Sequence, residues 1–452
     1  MSSSAPARGR AARLLLLSGS VVAIALAAGC VAGAGKDSDA AAQAARTTAM
    51  AEAAPVPSGS AGQGTAGAEP ASGPLTPGEF TLQFQSLLGQ HTVLAADMMR
   101  GRIRNDPDLA QATNAALGKN TDAMGKLFSA EFGADTAKAF TPLWSGHVTA
   151  LFNYARGLGE NDQAAMAQAK ASVTGIEGKL AAFFADHSGG KLTKQAAMAG
   201  VTGHVGHLLL QADQYAAKDY AKSDATYREG YAHGFAVGKA IGTALLTPAQ
   251  GRTLDTPTWR LRSALTQLLG EHVELVIGAL RAGATDAPDF RAAAASVDGN
   301  TTDLAGAIGV LFSPAAGSAF QQMWADHIDL LVQYAASIAK GDDAARTQVS
   351  SGLNGFEGKL SAFLATATGN KLAAQTLAKA LGSHDTMLRQ QVDAFVAKDY
   401  ATAHDVAYST YQEMFGLSGQ LAEAFGATVA KRLPVGPAQT GRGGMASVIG
   451  GR

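Results

Sequence analysis

The chain contains one segment twice, and this constrains its fold more than any other feature. Residues 77–246 and 257–427 align almost without gaps. "WSGH" at Trp144 matches "WADH" at Trp324, "IEGKLAAFF" at Ile176 matches "FEGKLSAFL" at Phe356, and "AAKDYA" at Ala216 matches "VAKDYA" at Val396, each pair 180 residues apart. Each copy opens with Thr-Pro, at Thr76 and Thr256, where Thr can cap a helix and Pro fits its first turn. A copy of about 170 residues can bury an adequate core.

Within a copy the pattern is helical throughout. Apolar residues recur at three and four, as in "LLGQHTVLAADMM" and "LVQYAASIA", and strand-like alternation is absent. Breaks fall at Asp106-Pro, at "GEND" from Gly159 and at "KD" from Lys218, with counterparts in the second copy. Asp106, Asp162 and Asp219 are expected to cap the returning helices. The prediction is an all-α fold with three helical hairpins per copy and twelve helices in all. They form two six-helix modules, 77–247 and 256–430, joined by a linker at 248–255.

The hairpins repeat inside each copy. His91, His147 and His204 are separated by 56 and 57 residues, and His272, His327 and His384 by 55 and 57. Following a helix about 15 residues to its end and the partner helix about 14 residues back returns to the same height, because both rise 1.5 Å per residue. The positions reached are Asn120, Glu177 and His233 in the first copy and Asn300, Glu357 and Glu413 in the second. Asn is a poor mid-helix residue, since its amide competes for backbone groups. Its appearance at Asn120 and Asn300 therefore calls for a partner. The expectation is a polar layer through the middle of each copy.

Such a layer can be a structural network that sets helix register, a metal site, or an organic-ligand pocket. Seven of the ten histidines occupy these positions, and helical bundles build metal sites from facing side chains. The candidate ligands are His91, His147, His204, His233 and Glu229 in the first copy, and His272, His327, His384 and Glu413 in the second. Copper and zinc suit imidazole. The first copy is expected to be the stronger site, because it offers four histidines and places Glu229 one turn before His233. Trp144 and Trp324 read as core anchors beside the layer, Met98 and Met99 as core, and His187 and His404 as surface residues. Gly234, Gly238 and Gly242 predict a close helix crossing. A phosphate loop, G-x-S-x-G, H-E-x-x-H, C-x-x-C and the E-x-x-H pairs of di-iron bundles are all absent.

The net charge of -1 gives no argument for a nucleic-acid partner. At the N-terminus, Arg8, Arg10 and Arg13 precede an apolar run from Leu14 to Leu26, too short for a comfortable membrane span. "AAGC" follows, ending in Cys30, the one cysteine. It resembles the lipobox of bacterial lipoproteins, with Ala27 where Leu is usual. The resemblance implies removal of residues 1–29, lipidation of Cys30 and attachment to the outer face of the bacterial cytoplasmic membrane. Two or three acyl chains suffice for stable anchoring. Residues 31–76, rich in Ala, Gly, Ser and Pro, read as a disordered tether reaching roughly 40 Å. Residues 431–452 read as a disordered tail.

The motifs "LLGEHVEL" at Leu268, "NTTDLAGAI" at Asn300, "WADHI" at Trp324 and "REGYAHGF" at Arg228 resemble a helical repeat region of secreted bacterial proteins. Many of these carry the label copper amine oxidase or copper amine oxidase N-terminal domain. The resemblance spans roughly residues 77–427 and implies the helical repeat. A copper amine oxidase makes its quinone from the Tyr of an Asn-Tyr-Asp/Glu motif and uses a His-x-His pair. Here Ala155 follows Asn153-Tyr154 and no His-x-His occurs, so that activity is not expected. The sequence reads as a lipid-anchored extracytoplasmic binding protein with a His-rich layer in each module. The alternatives are a structural or protein-interaction module without a ligand, and a metal-dependent redox enzyme.

Overall fold

A computed structural model describes residues 75–434 of the chain. The signal segment, Cys30, nearly all of the tether and the tail beyond residue 434 lie outside the described residues. Among the described residues are thirteen α-helices and no strand. The first copy forms α1 (Pro77–Ile103), α2 (Pro107–Phe132), α3 (Ala134–Glu160), α4 (Gln163–His187), α5 (Lys194–Ala216) and α6 (Tyr220–Leu245). The second forms α8 (Pro257–Ala284), α9 (Phe290–Leu311), α10 (Pro314–Lys340), α11 (Asp343–Ala367), α12 (Ala374–Val396) and α13 (Tyr400–Ala430). The linker is itself ordered, as the short helix α7 (Pro248–Arg252) and a 3-10 turn (Thr253–Asp255). None of the described helices is long and apolar enough to cross a membrane.

The helix starts follow local chemistry. Thr76 accepts from the Glu79 amide while the Glu79 carboxylate accepts from the Thr76 amide, a capping box with Pro77 at the first position. Thr256 caps α8 through the Trp259 amide, and Asp106 and Asp162 cap α2 and α4 through Leu109 and Ala165. Asp219 occupies the N-cap of α6 without a capping bond to a helix amide, its carboxylate accepting from the Lys222 ammonium at 2.6 Å instead. Asn105, Asn161 and Lys218, each just before a capping Asp, take positive φ and reverse the chain.

In each copy the first helix is central. α1 packs on α2, α3, α5 and α6, and α8 packs in the same way on α9, α10, α12 and α13. The glycine stripe of α6 lies against α1. A Cβ on Gly238 would fall 2.7 Å from the Gln85 Cα, and one on Gly234 2.6 Å from the Thr92 hydroxyl. This is the close crossing the stripe predicts.

The described residues belong to one compact unit. An apolar core runs from Val93, Leu151 and Phe235 in the first copy to Leu269, Leu331 and Tyr411 in the second. Equivalent residues meet at the junction, where the Tyr231 and Tyr411 hydroxyls lie 3.1 Å apart. α2 touches α13 just as α9 touches α6. Contacts between equivalent patches are the mark of a two-fold relation, here between halves of one chain. Arg228 of α6 adds ion pairs to Glu271 (2.9 Å) and Asp303 (2.8 Å) of the second copy.

Candidate metal centres

Three helices of each copy turn a histidine toward a common point. In the first copy His91 (α1), His147 (α3) and His204 (α5) form a near-equilateral triangle, with ring centroids 5.5, 5.4 and 5.6 Å apart. One nitrogen of each lies within 4.8 Å of the other two. The three are at most 3% exposed. Trp144 covers the triangle with its ring centred 4.6 Å from that of His91, and it stacks in turn on Phe140.

The second copy repeats this with His272 (α8), His327 (α10) and His384 (α12), again with one nitrogen each inside 4.8 Å. Trp324 lies 4.8 Å from His272. Here carboxyl groups join the triad. Asp385 stands 3.7 Å from the His327 Nε2, and Glu413 stands 3.8 Å from the His384 Nδ1. Asp385 is 1% exposed, and its carboxyl pairs with that of Glu357. The equivalent residue in the first copy is Val205. A mainly apolar cavity beside His327, His384 and Asp385 offers about 40 Å³ to water centres, room for a few waters.

The ring nitrogens are largely unpartnered. Among the described residues, both nitrogens of His91, His147 and His272 lack a hydrogen bond, as do the His204 Nε2, the His327 Nδ1 and the His384 Nδ1. The His204 Nδ1 has a hydrogen-bond partner, the Thr92 hydroxyl at 3.4 Å. Buried polar atoms left in this state cost about 1–3 kcal/mol each, and natural interiors rarely leave so many together. Burial pushes every one of these imidazoles below its ordinary value, His147 and His384 to about 4. They are therefore neutral, the form that ligates metal. Burial, and then the nearby Glu357, pushes Asp385 well above the carboxylate range, and burial pushes Glu413 up to about 7.

Glu413 apart, the hairpin partners sit away from the triads. Asn120 donates to the Leu87 carbonyl and to Gln90, both at 3.0 Å. Asn300 donates to the Leu268 carbonyl at 3.1 Å and to Glu271 at 3.0 Å. The mid-helix Asn thus ties the second helix of a hairpin to the backbone of the first and does not reach the triad. Glu177 is paired with Thr202 at 3.4 Å, and Glu357 lies against Gly382 and Asp385. His233 bonds the Gly200 carbonyl at 3.0 Å beside His207, and Glu229 is exposed. The first copy therefore brings together three histidines rather than four, with no carboxylate. Equal height on a hairpin does not set azimuth. α1, α3 and α5 turn their histidines inward, while the equal-height residues of α2, α4 and α6 meet the flank of a neighbouring helix. The Trp and Met residues lie in the core as expected. His187 is exposed, but His404 is buried, its Nε2 3.1 Å from the Thr113 hydroxyl, because the other copy covers it. Asp385 went unrecognised in the sequence. An acidic residue beside a layer histidine, where the other copy has Val, was the available signal.

No protein-family model, curated protein or solved structure matches the chain.

Proposed function

We propose that the chain is a lipid-anchored extracytoplasmic protein that binds a transition metal, copper or zinc, at its two buried histidine triads. The observation that carries this reading is the convergence, twice, of three neutral imidazoles, each with at least one buried ring nitrogen that has no hydrogen-bond partner among the described residues. In the first copy a purely structural network would have joined the triad to Asn120, Glu177 and His233, and those partners bond elsewhere; in the second, Glu413 alone of the three partners stands beside a triad histidine. Three imidazoles with a free fourth position are an established zinc ligand set, and copper(II) binds such donors more tightly still. With metal–nitrogen bonds of about 2.0–2.1 Å, ligand nitrogens lie about 3.4 Å apart, so the rings would close by up to about 1 Å on loading. The anchor rests on the "AAGC" motif and the apolar run before it.

The two triads differ in charge. A divalent ion in the first would add its full charge to an interior of neutral rings, which is costly. In the second, Asp385 and Glu413 can ionise and offset it, releasing protons as metal binds. The second triad is accordingly the tighter site for a divalent ion, the reverse of the ranking that ligand counting in the sequence suggests. Calorimetric titration of Zn(II) into the full chain, purified without an affinity His-tag, tests this. Two bound equivalents are expected. His327→Phe should remove the tighter one and His147→Phe the weaker. If neither triad binds below about 10 µM (roughly 7 kcal/mol), the metal reading is wrong.

A further inference from the structure

A second cavity lies between the copies, apart from both triads. It is walled by α1 and α2 on one side and α8 and α13 on the other, and offers about 360 Å³ to water centres. The exposed ion pair of Lys119 and Asp405 also lines it, so the cavity opens to solvent there.

Three buried or half-buried charged side chains face this space without a counter-ion in contact, and the exposed Lys126 also lines it. Asp97 on α1 and Glu274 on α8 form no hydrogen bond or ion pair among the described residues, and Glu274 is only 8% exposed. The third is Arg281, also 8% exposed. Its history is legible in the duplication. The equivalent Arg100 bonds Gln211 at 3.0 Å and is neutralised by Asp224 at 2.8 Å. Arg281 keeps the matching bond to Gln391 at 3.0 Å, but its other bond goes to the Ala403 carbonyl at 3.3 Å. Where the first copy has Asp224, the second has His404, which burial holds at about 3 and therefore neutral. The second copy has thus kept a buried guanidinium and lost its carboxylate. Asp97 and Glu274 are not inherited features either, since Gly278 and Val93 occupy the equivalent positions. Both signs of charge therefore line one solvent-open cavity without pairing directly, so a ligand that carries both signs can meet each.

We propose that this cavity binds a small zwitterion of the amino-acid type, with its ammonium between Asp97 and Glu274 and its carboxylate on Arg281. Burial pushes Glu274 up to about 8 and raises Asp97 to a lesser degree, so Asp97 is the main anionic partner and Arg281 the cationic one. A zwitterion meets both, whereas a lone cation or anion meets only one. Leu94 and Ile277 supply apolar wall for a short carbon chain.

Calorimetry on the full chain decides the matter. Glycine, L-alanine and 4-aminobutanoate serve as zwitterions of different charge separation, butylamine as the lone cation and butanoate as the lone anion. At least one zwitterion should bind about ten-fold or more tightly than either singly charged probe. Asp97→Asn and Arg281→Gln should each weaken it about ten-fold or more, in protein whose circular dichroism is unchanged. Asp97→Asn, nearly isosteric, carries the test if Arg281→Gln fails to fold. The proposal falls if no zwitterion binds at concentrations up to about 10 mM, if butylamine or butanoate binds equally well, or if Asp97→Asn leaves the affinity unaltered.

Discussion

Replacing His147 with Phe should flatten the acid sensitivity of the metal-free protein. His147 is surrounded by His91, His204 and Trp144, with ring centroids 5.5–5.6 Å away, so a phenyl ring fits the site with little change in volume. Such swaps usually cost under about 1.5 kcal/mol. Burial lowers the imidazole from 6.5 to about 4 in the folded chain. The unfolded chain therefore takes up a proton first. Stability from this group is complete above about pH 6.5 and is lost as pH falls from there toward 4. At 1.36 kcal/mol per pKa unit, His147 alone should withdraw about 2.5 kcal/mol between pH 7.5 and 4.5. Glu274 and Glu413, pushed up to about 8 and about 7, act in the opposite direction. They are present in both proteins and cancel in the difference. Urea unfolding followed by circular dichroism, with chelator present, should show the wild type losing about 2.5 kcal/mol more than the variant over this range. Equal losses, within about 0.5 kcal/mol, would mean that His147 is hydrated or already partnered when folded, and the dry-triad argument would fail.

Other changes probe separate links. Cys30→Ser should abolish lipid labelling and release the protein from the membrane fraction; unchanged retention would remove the lipoprotein reading. Asp385→Val copies the first copy's Val205 into the second, so it should weaken Zn(II) at the second triad about ten-fold or more, because it removes a carboxyl that ionises as the metal binds. Unaltered affinity would mean that Asp385 does not offset the charge of the ion. Gly238→Ala puts a methyl 2.7 Å from the Gln85 Cα and should cost about 1–3 kcal/mol by forcing α6 off α1. Unaltered stability would mean this crossing is looser than described.

Much of the candidate site was open to reading in one dimension. The 55- to 57-residue spacing of the histidines marked His91, His147 and His204, and their counterparts, as one level, and the two triads are these residues. The partners were not so accessible. Asn120 and His233 sit at the right height yet bond the Leu87 and Gly200 carbonyls, because height follows from rise per residue while direction follows from how neighbouring helices roll against each other.

What the amino-acid sequence determined by itself is what near neighbours decide. Thr76 and Asp106 start helices through amides three residues away, and the three-four apolar recurrence sets the helical class. The duplication sets the number of hairpins, and the Gly234–Gly238–Gly242 stripe marks a close crossing. Tertiary structure alone decided that the two copies share a core across Tyr231 and Tyr411. It alone buried His404, turned Asp385 toward His327, and left Asp97, Glu274 and Arg281 around one cavity. These contacts join residues far apart in the chain. They arise from the sum of many weak packing terms over whole helix faces, and no local pattern records that sum.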